Sequence, residues 1–167
     1  HGRQMGKTLI LPVRWNLATA KPVLGTNPTE KLLTNGIRGS LKYSDFEWCS
    51  WADNDSVSFT IDLLKPEMLN TLTLGSITNN GMAIHKPASV RVEVSDDNSK
   101  FREAVVQSFT SEEIFREGNF IENLSLKLGG TQARYVRVTA KGPGVCPASH
   151  VRPGQTSRIF FDEVMLE

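Results

Sequence analysis

A chain of 167 residues fits one ordinary domain, and 39% hydrophobic with 22% charged residues excludes global disorder. Nineteen basic against eighteen acidic residues give a formal charge of +1, too balanced to create a long-range field for nucleic acid or an anionic membrane. No apolar run approaches the roughly 20 residues that span a bilayer.

The dominant period is two. Thr8 to Val13 and Ala18 to Leu24 open the chain as weak strand candidates, and a long loop with Trp48 and Trp51 follows from Asn27 to Trp51. Val57, Phe59, Ile61 and Leu63 then alternate with polar residues, and Leu72 and Leu74 repeat the pattern beyond a turn at Lys65-Pro66. A loop from Ile77 to Pro87 carries His85, and Val90, Val92 and Val94 form the next strand. Phe101 to Phe115 reads as a strand with an irregular excursion, and Ser108 to Glu122 as a polar, acidic loop. Leu124, Leu126 and Leu128 precede a turn at Gly129-Gly130, and Val136, Val138 and Ala140 follow it. A loop from Lys141 to Arg158 carries Cys146, His150 and Arg152, and Ile159 to Leu166 enters the core as the last strand.

Short strands, regular turns and almost no helix predict an all-β sandwich or barrel. Inward positions at Val57, Phe59, Ile61, Leu72, Leu74, Val92, Val94, Val136, Val138 and Phe161 supply its core. Long loops are then where function belongs.

Hydrolytic chemistry needs an activated nucleophile or a spaced carboxylate pair. The chain has no G-x-S-x-G, H-E-x-x-H, Walker or G-x-G-x-x-G motif. His85 and His150, with neither cysteine nor carboxylate at ligand spacing, do not read as a zinc site, and Cys49 and Cys146, which could make one disulfide, read rather as two free or half-buried thiols. Asp53, Asp55, Asp96, Asp97, Asp162 and Glu163 read as solvated turn residues. The sequence therefore favours a binding module over an enzyme.

Five segments, in order, resemble the discoidin family, the coagulation factor V/VIII type C domains, and within it family-32 carbohydrate-binding modules. They are Leu33-Thr34-Asn35-Gly36 followed by Trp48 and Trp51, Val57 to Leu63, Val92 to Phe101 with its Ser95-Asp96-Asp97-Asn98 turn, Ala133-Arg134-Tyr135-Val136-Arg137-Val138, and Phe161-Asp162-Glu163-Val164. Gly144-Val145-Cys146-Pro147 with His150, and Leu33 to Ser40, are similar to the C-terminal module of bacterial family-20 β-N-acetylhexosaminidases, the chitobiase-like enzymes.

The resemblance implies a galactose-binding-like jelly-roll β-sandwich of roughly eight main strands spanning residues 1–167. It also implies a non-catalytic carbohydrate-binding accessory module, cut from a larger glycoside hydrolase that is secreted, periplasmic or on the outer surface of a bacterium. Its expected partners are a glycan with galactose- or N-acetylhexosamine-type sugars and the catalytic domain of the same chain. Trp51, His85, His150 and Arg152 are the expected carbohydrate-binding residues, while Trp48 matches a family tryptophan that packs inward. Relatives of this subgroup carry an aromatic just before the histidine, where this chain has Ala148-Ser149. That departure favours the alternative, a structural domain packed on the catalytic barrel without sugar. The resemblance further implies a structural Ca2+ held by Asn35, Ser40 and Glu163, with Asn35 standing where the family has aspartate.

Overall fold

The computed structural model describes residues 3–5, 8–10, 16–17, 24–25, 33, 36–50 and 56–167. Trp51 and Asn35, both singled out above, lie outside the described residues, as do residues 11–13 and 18–23 of the two opening strand candidates.

The strands are β1 (Arg3–Met5), β2 (Thr8–Ile10), β3 (Asn16–Leu17), β4 (Leu24–Gly25), β5 (Cys49–Ser50), β6 (Ser56–Asn79), β7 (Ser89–Ser95), β8 (Arg102–Ser108), β9 (Asn119–Lys141) and β10 (Phe160–Leu166). One short helix, α1 (Ser111–Ile114), interrupts them. Strands β1 and β2 pair with each other, and the rest form one antiparallel path, β4-β5-β10-β6-β9-β7-β8, with β3 on β6.

Strands β6 and β9 are each continuous where the sequence suggests two strands and a turn. They pair from Ser56↔Lys141 to Asn79↔Asn119, and the expected turns are bulges within that ladder. In β6 the register shifts between Asp62 and Glu67, where Leu64 adopts φ +74° and Pro66 has no amide to donate. In β9 the compensating extra residues fall at Leu128 to Gly130, and Gly129 and Gly130 take φ +68° and +75°. Nothing crowds a Cβ at Gly129, so backbone conformation is what selects glycine there.

Hydrogen bonding resumes beyond the bulges, so the ribbon folds over on itself. The first half of β6 and the last half of β9 sit with β3, β7 and β8, and their other halves sit with β10, β5 and β4. Val57, Phe59, Ile61, Val92, Val94, Val136 and Val138 from the first layer share one buried cluster with Leu72, Leu74, Leu126, Phe161 and Val164 from the second. That is the two-layer sandwich the alternation predicts. A smaller cluster of Trp48, Ile77, Ile84 and Phe160, with Tyr43 against it, closes one end.

The segment Phe101 to Phe115 is strand in its first part, as expected, but ends in α1. Thr110 and Glu113 form a reciprocal capping box around that turn. The presumed loop Ser108 to Glu122 thus contains α1 and the start of β9.

The β6 bulge is pinned by one carboxylate. Asp62 accepts the Leu64 amide at 2.8 Å and both forks of Arg134 at 2.8 and 3.0 Å. The Arg134 hydrogen bonds hold its pKa below the ordinary 3.8, so this stabilisation is complete above the unfolded-state pKa and is lost as pH falls through the folded value. Asp62→Asn should lower the melting temperature relative to the parent at about pH 6, and the gap should close by about pH 2 in thermal scans by circular dichroism.

Candidate functional site

Two segments clamp together at one end of the sandwich. A 3-10 turn at Asn80–Met82 hands the chain to Ala83, which closes it at φ +57°. The His85 amide donates to the Arg158 carbonyl at 3.0 Å, while the Arg158 amide and Ser157 hydroxyl donate to the Ala83 carbonyl at 2.9 and 3.1 Å. The 144–157 loop closes on itself through Cys146 N to Gln155 O at 2.8 Å and Gly154 N to Cys146 O at 2.9 Å. His85 and the tip of that loop are thereby brought face to face.

The two histidines meet nitrogen to nitrogen, His85 Nε2 to His150 Nε2 at 2.9 Å. His150 Nδ1 accepts the Arg152 amide at 2.9 Å, which assigns the His150 proton to Nε2. His150 therefore donates to His85, and the His85 proton sits on Nδ1, buried with only weak support from the Ile114 backbone. Burial, and secondarily the charge His150 would carry, push the His85 pKa down to about 4. His85 is therefore neutral at physiological pH.

Phe115 stands at the end of α1, edge-on to both imidazoles with ring centroids 5.1 Å from His85 and 6.2 Å from His150. With Asn80, Glu112, Pro147, Ser149 and His150 it lines an open cleft of about 350 Å³. Lys86, the residue after His85, is buried, paired with Glu122 at 3.1 Å and lying over the Phe109 ring at 4.7 Å.

Of the sequence-predicted residues, His85 and His150 come together, but His85 is fully enclosed behind His150 and Phe115, which line the cleft in its place. Arg152 is exposed beside them, its Nε donating to the Gly81 carbonyl. Trp48 is buried, its indole N–H donating to the Ser40 carbonyl at 2.8 Å, so it plugs the end of the sandwich. Sequence reading missed Phe115. Its signal was available in Thr110-Ser111-Glu112-Glu113, the S/T-x-x-E pattern that starts a helical turn.

Sequence spacing also left His85 and His150 without a sulfur partner, and the fold corrects that. Cys146 lies with them, one ligand atom from each of the three falling within 4.8 Å of the others. Cys49 and Cys146 are both free, as expected.

A second polar assembly joins the early loop to the last strand. A register shift in β10 between Phe161 and Val164 accompanies two successive buried carboxylates, Asp162 and Glu163. They are interior groups, which corrects their reading as solvated turn residues. Asp162 Oδ2 accepts Arg38 Nε and the Gly39 amide, each at 2.8 Å, and Arg38 continues to Asn123 at 2.7 Å. Glu163 Oε2 accepts the Gly36 amide at 2.9 Å, while its buried Oε1, like Asp162 Oδ1, has no hydrogen-bond partner among the described residues. Burial pushes the Glu163 pKa up to about 9, and burial also raises that of Asp162 against the pull of Arg38. Ser40 is exposed, its hydroxyl accepting the Lys42 amide at 3.2 Å.

The F5/8 type C domain model matches residues 18–151. The sequence has no significant match among curated proteins. Among solved structures, the C-terminal domain of a chitobiase from Bacteroides fragilis aligns with a TM-score of 0.58 at 17% identity, covering 93% of this chain and 94% of that one. CpGH89CBM32-5 of Clostridium perfringens, solved in complex with GalNAc-β-1,3-galactose, aligns with a TM-score of 0.59 at 16% identity over 94% and 97% of the two chains. The family 32 CBM of Clostridium perfringens NanJ, solved in complex with galactose, gives 0.59 at 11% identity over 95% and 97%. At these identities the likeness is one of fold.

The Asp162 seam leaves no room beside Gly75, where a Cβ would overlap Asp162 Oδ1 and sit 2.7 Å from Arg38 Nη2. Gly75→Ala should lower stability by about 3 kcal/mol, the upper range for overpacking, as read from urea unfolding.

Proposed function

The chain belongs to the F5/8 type C domain family, and on that premise we propose that it is a non-catalytic carbohydrate-binding accessory module of a bacterial glycoside hydrolase, acting outside the cytoplasm. Phe115 in the cleft carries the reading. A sugar ring needs an apolar face rimmed by hydroxyl-binding groups, and Phe115 supplies that aromatic surface where Ala148-Ser149 has none. Asn80, Glu112 and Ser149 offer the polar rim. His150 forms the wall with His85 behind it, and Arg152 borders the rim. Trp51, from the early loop, remains a proposed contact.

Binding here would hold the catalytic domain of the same chain near its glycan, raising effective concentration by tethering. A shallow site with few anchors gives millimolar to micromolar affinity, roughly 4–8 kcal/mol. Galactose- and N-acetylhexosamine-type sugars are the proposed ligands, in keeping with the sugars in the two Clostridium perfringens complexes.

Leu41 and Phe46, 52% and 70% exposed on one early loop, favour a second reading in which the domain packs on its catalytic neighbour and binds no sugar. NMR titration with galactose, N-acetylgalactosamine, N-acetylglucosamine and chitobiose separates the two. Sugar binding predicts saturable shifts around Phe115, Ser149 and His150, weakened about tenfold by Phe115→Ala, the ~1.4 kcal/mol scale of one aromatic contact. Silence across the panel favours the packing domain.

Calcium is the cofactor proposed for the early loop. The fit rests on Glu163, whose Oε2 holds the Gly36 amide and whose buried Oε1, without a hydrogen bond among the described residues, is a carboxylate oxygen with capacity for a hard cation. The remaining oxygens would come from the 33–40 loop, with Asn35 and Ser40 as candidates. The ion would neutralise Glu163 and fix that loop. Calcium at about 1 mM should raise the melting temperature of the parent and leave Glu163→Gln unmoved, as measured by differential scanning fluorimetry.

A further inference from the structure

We propose that His85, Cys146 and His150 form a binding site for a borderline-soft transition-metal ion, Zn2+ foremost, separate from the early-loop calcium site. Two imidazoles and one sulfur within 4.8 Å form the only group of three or more histidine, cysteine or carboxylate side chains gathered at ligand separation among the described residues. A set of two nitrogens and one sulfur suits Zn2+ or copper and is foreign to calcium, which takes oxygen.

Three observations support an ion at this place. All three residues are at least nine-tenths buried, so the site is screened from bulk water, with His150 standing between it and the cleft. The ligands are held by backbone clamps on both sides, His85 through Arg158 and Cys146 through Gln155 and Gly154. The His85 and His150 nitrogens already face each other at 2.9 Å with one proton between them, and His85 Nδ1 keeps its proton inward, leaving Nε2 as the free lone pair. A metal ion replaces that shared proton with a stronger electrophile.

The protons balance. The Cys146 thiol loses its proton to solvent as the metal–sulfur bond forms. The His150 proton moves from Nε2 to Nδ1, which breaks the hydrogen bond from the Arg152 amide. Residues 151–155 of that turn are exposed, so the amide is free to turn to water. One proton leaves per ion bound, and no oxidant or reductant is required.

The inference does not rest on sugar recognition, and its test contains none. The reduced 167-residue chain is titrated with Co2+ and then Zn2+, in millimolar calcium throughout, and followed by absorption and by the Arg152 amide in NMR. The expected result is one Co2+ per chain, a thiolate-to-cobalt charge-transfer band in the near ultraviolet, displacement by Zn2+, and a shifted Arg152 amide. Cys146→Ser should lose the band and His150→Gln should lose tight binding, each checked for folding by circular dichroism, while Cys49→Ser should bind as the parent does. Absence of Co2+ and Zn2+ uptake by the folded, reduced parent overturns the proposal. So does a band that survives Cys146→Ser, or uptake that never shows thiolate absorption.

Discussion

Everything in this domain depends on one pairing, the antiparallel ladder between β6 and β9 that runs from Ser56↔Lys141 to Asn79↔Asn119. A flat ribbon of that length would bury one face at most. Extra residues in β6 near Leu64 and in β9 near Gly129 bend it, so its two halves face each other across a common core. Strands β3, β4, β5, β7, β8 and β10 extend one half or the other. The loops that matter then emerge beside the Asn79 end of the ribbon, where Ile84 bridges to Asn79 on one side and Arg158 on the other.

The second constraint is electrostatic. Burying Asp162 and Glu163 in the closing strand costs desolvation, and each is offset by a different means. Asp162 has a guanidinium and an amide. Among the described residues each acid keeps one buried oxygen without a hydrogen bond, but Glu163 has a single amide where Asp162 has two donors, and so remains the less satisfied of the two. All three bonds run to residues 36–39, so the acids that burden the core also position the early loop over it.

Much of this was legible in the sequence, because alternation at Val57 to Leu63, Val90 to Val94 and Val136 to Ala140 carries the period of a half-buried strand. Lys65-Pro66 and Gly129-Gly130 were read as turns because bulges and turns draw on the same residues. Only the partner strand's register distinguishes them, and that is non-local. Asp162 and Glu163 looked like surface acids for a related reason: a β10 register shift is invisible without its neighbours. His85, Cys146 and His150 were each legible singly, yet their meeting depends on the Ala83–Arg158 clamp, which leaves no mark in spacing. Trp48 went the other way, since an inward-packing tryptophan was expected and its indole is enclosed.

The geometry of His150 decides how the cleft can work. Both of its ring nitrogens are used inside the protein, one by the Arg152 amide and one by His85. Turning the ring to serve a ligand hydroxyl would strand the buried His85 nitrogen, a loss of about 1–3 kcal/mol for an unsatisfied group. His150 is therefore a wall whose edge and carbon face meet a ligand, not a donor or acceptor for it. Hydroxyl recognition falls to groups on the rim with capacity to spare, Glu112 and Ser149 among them, while Phe115 provides the apolar surface. A metal ion bound beneath His150 would use the same inward-facing nitrogen, exchanging the Arg152 amide bond for a metal bond without consuming Phe115, Glu112 or Ser149.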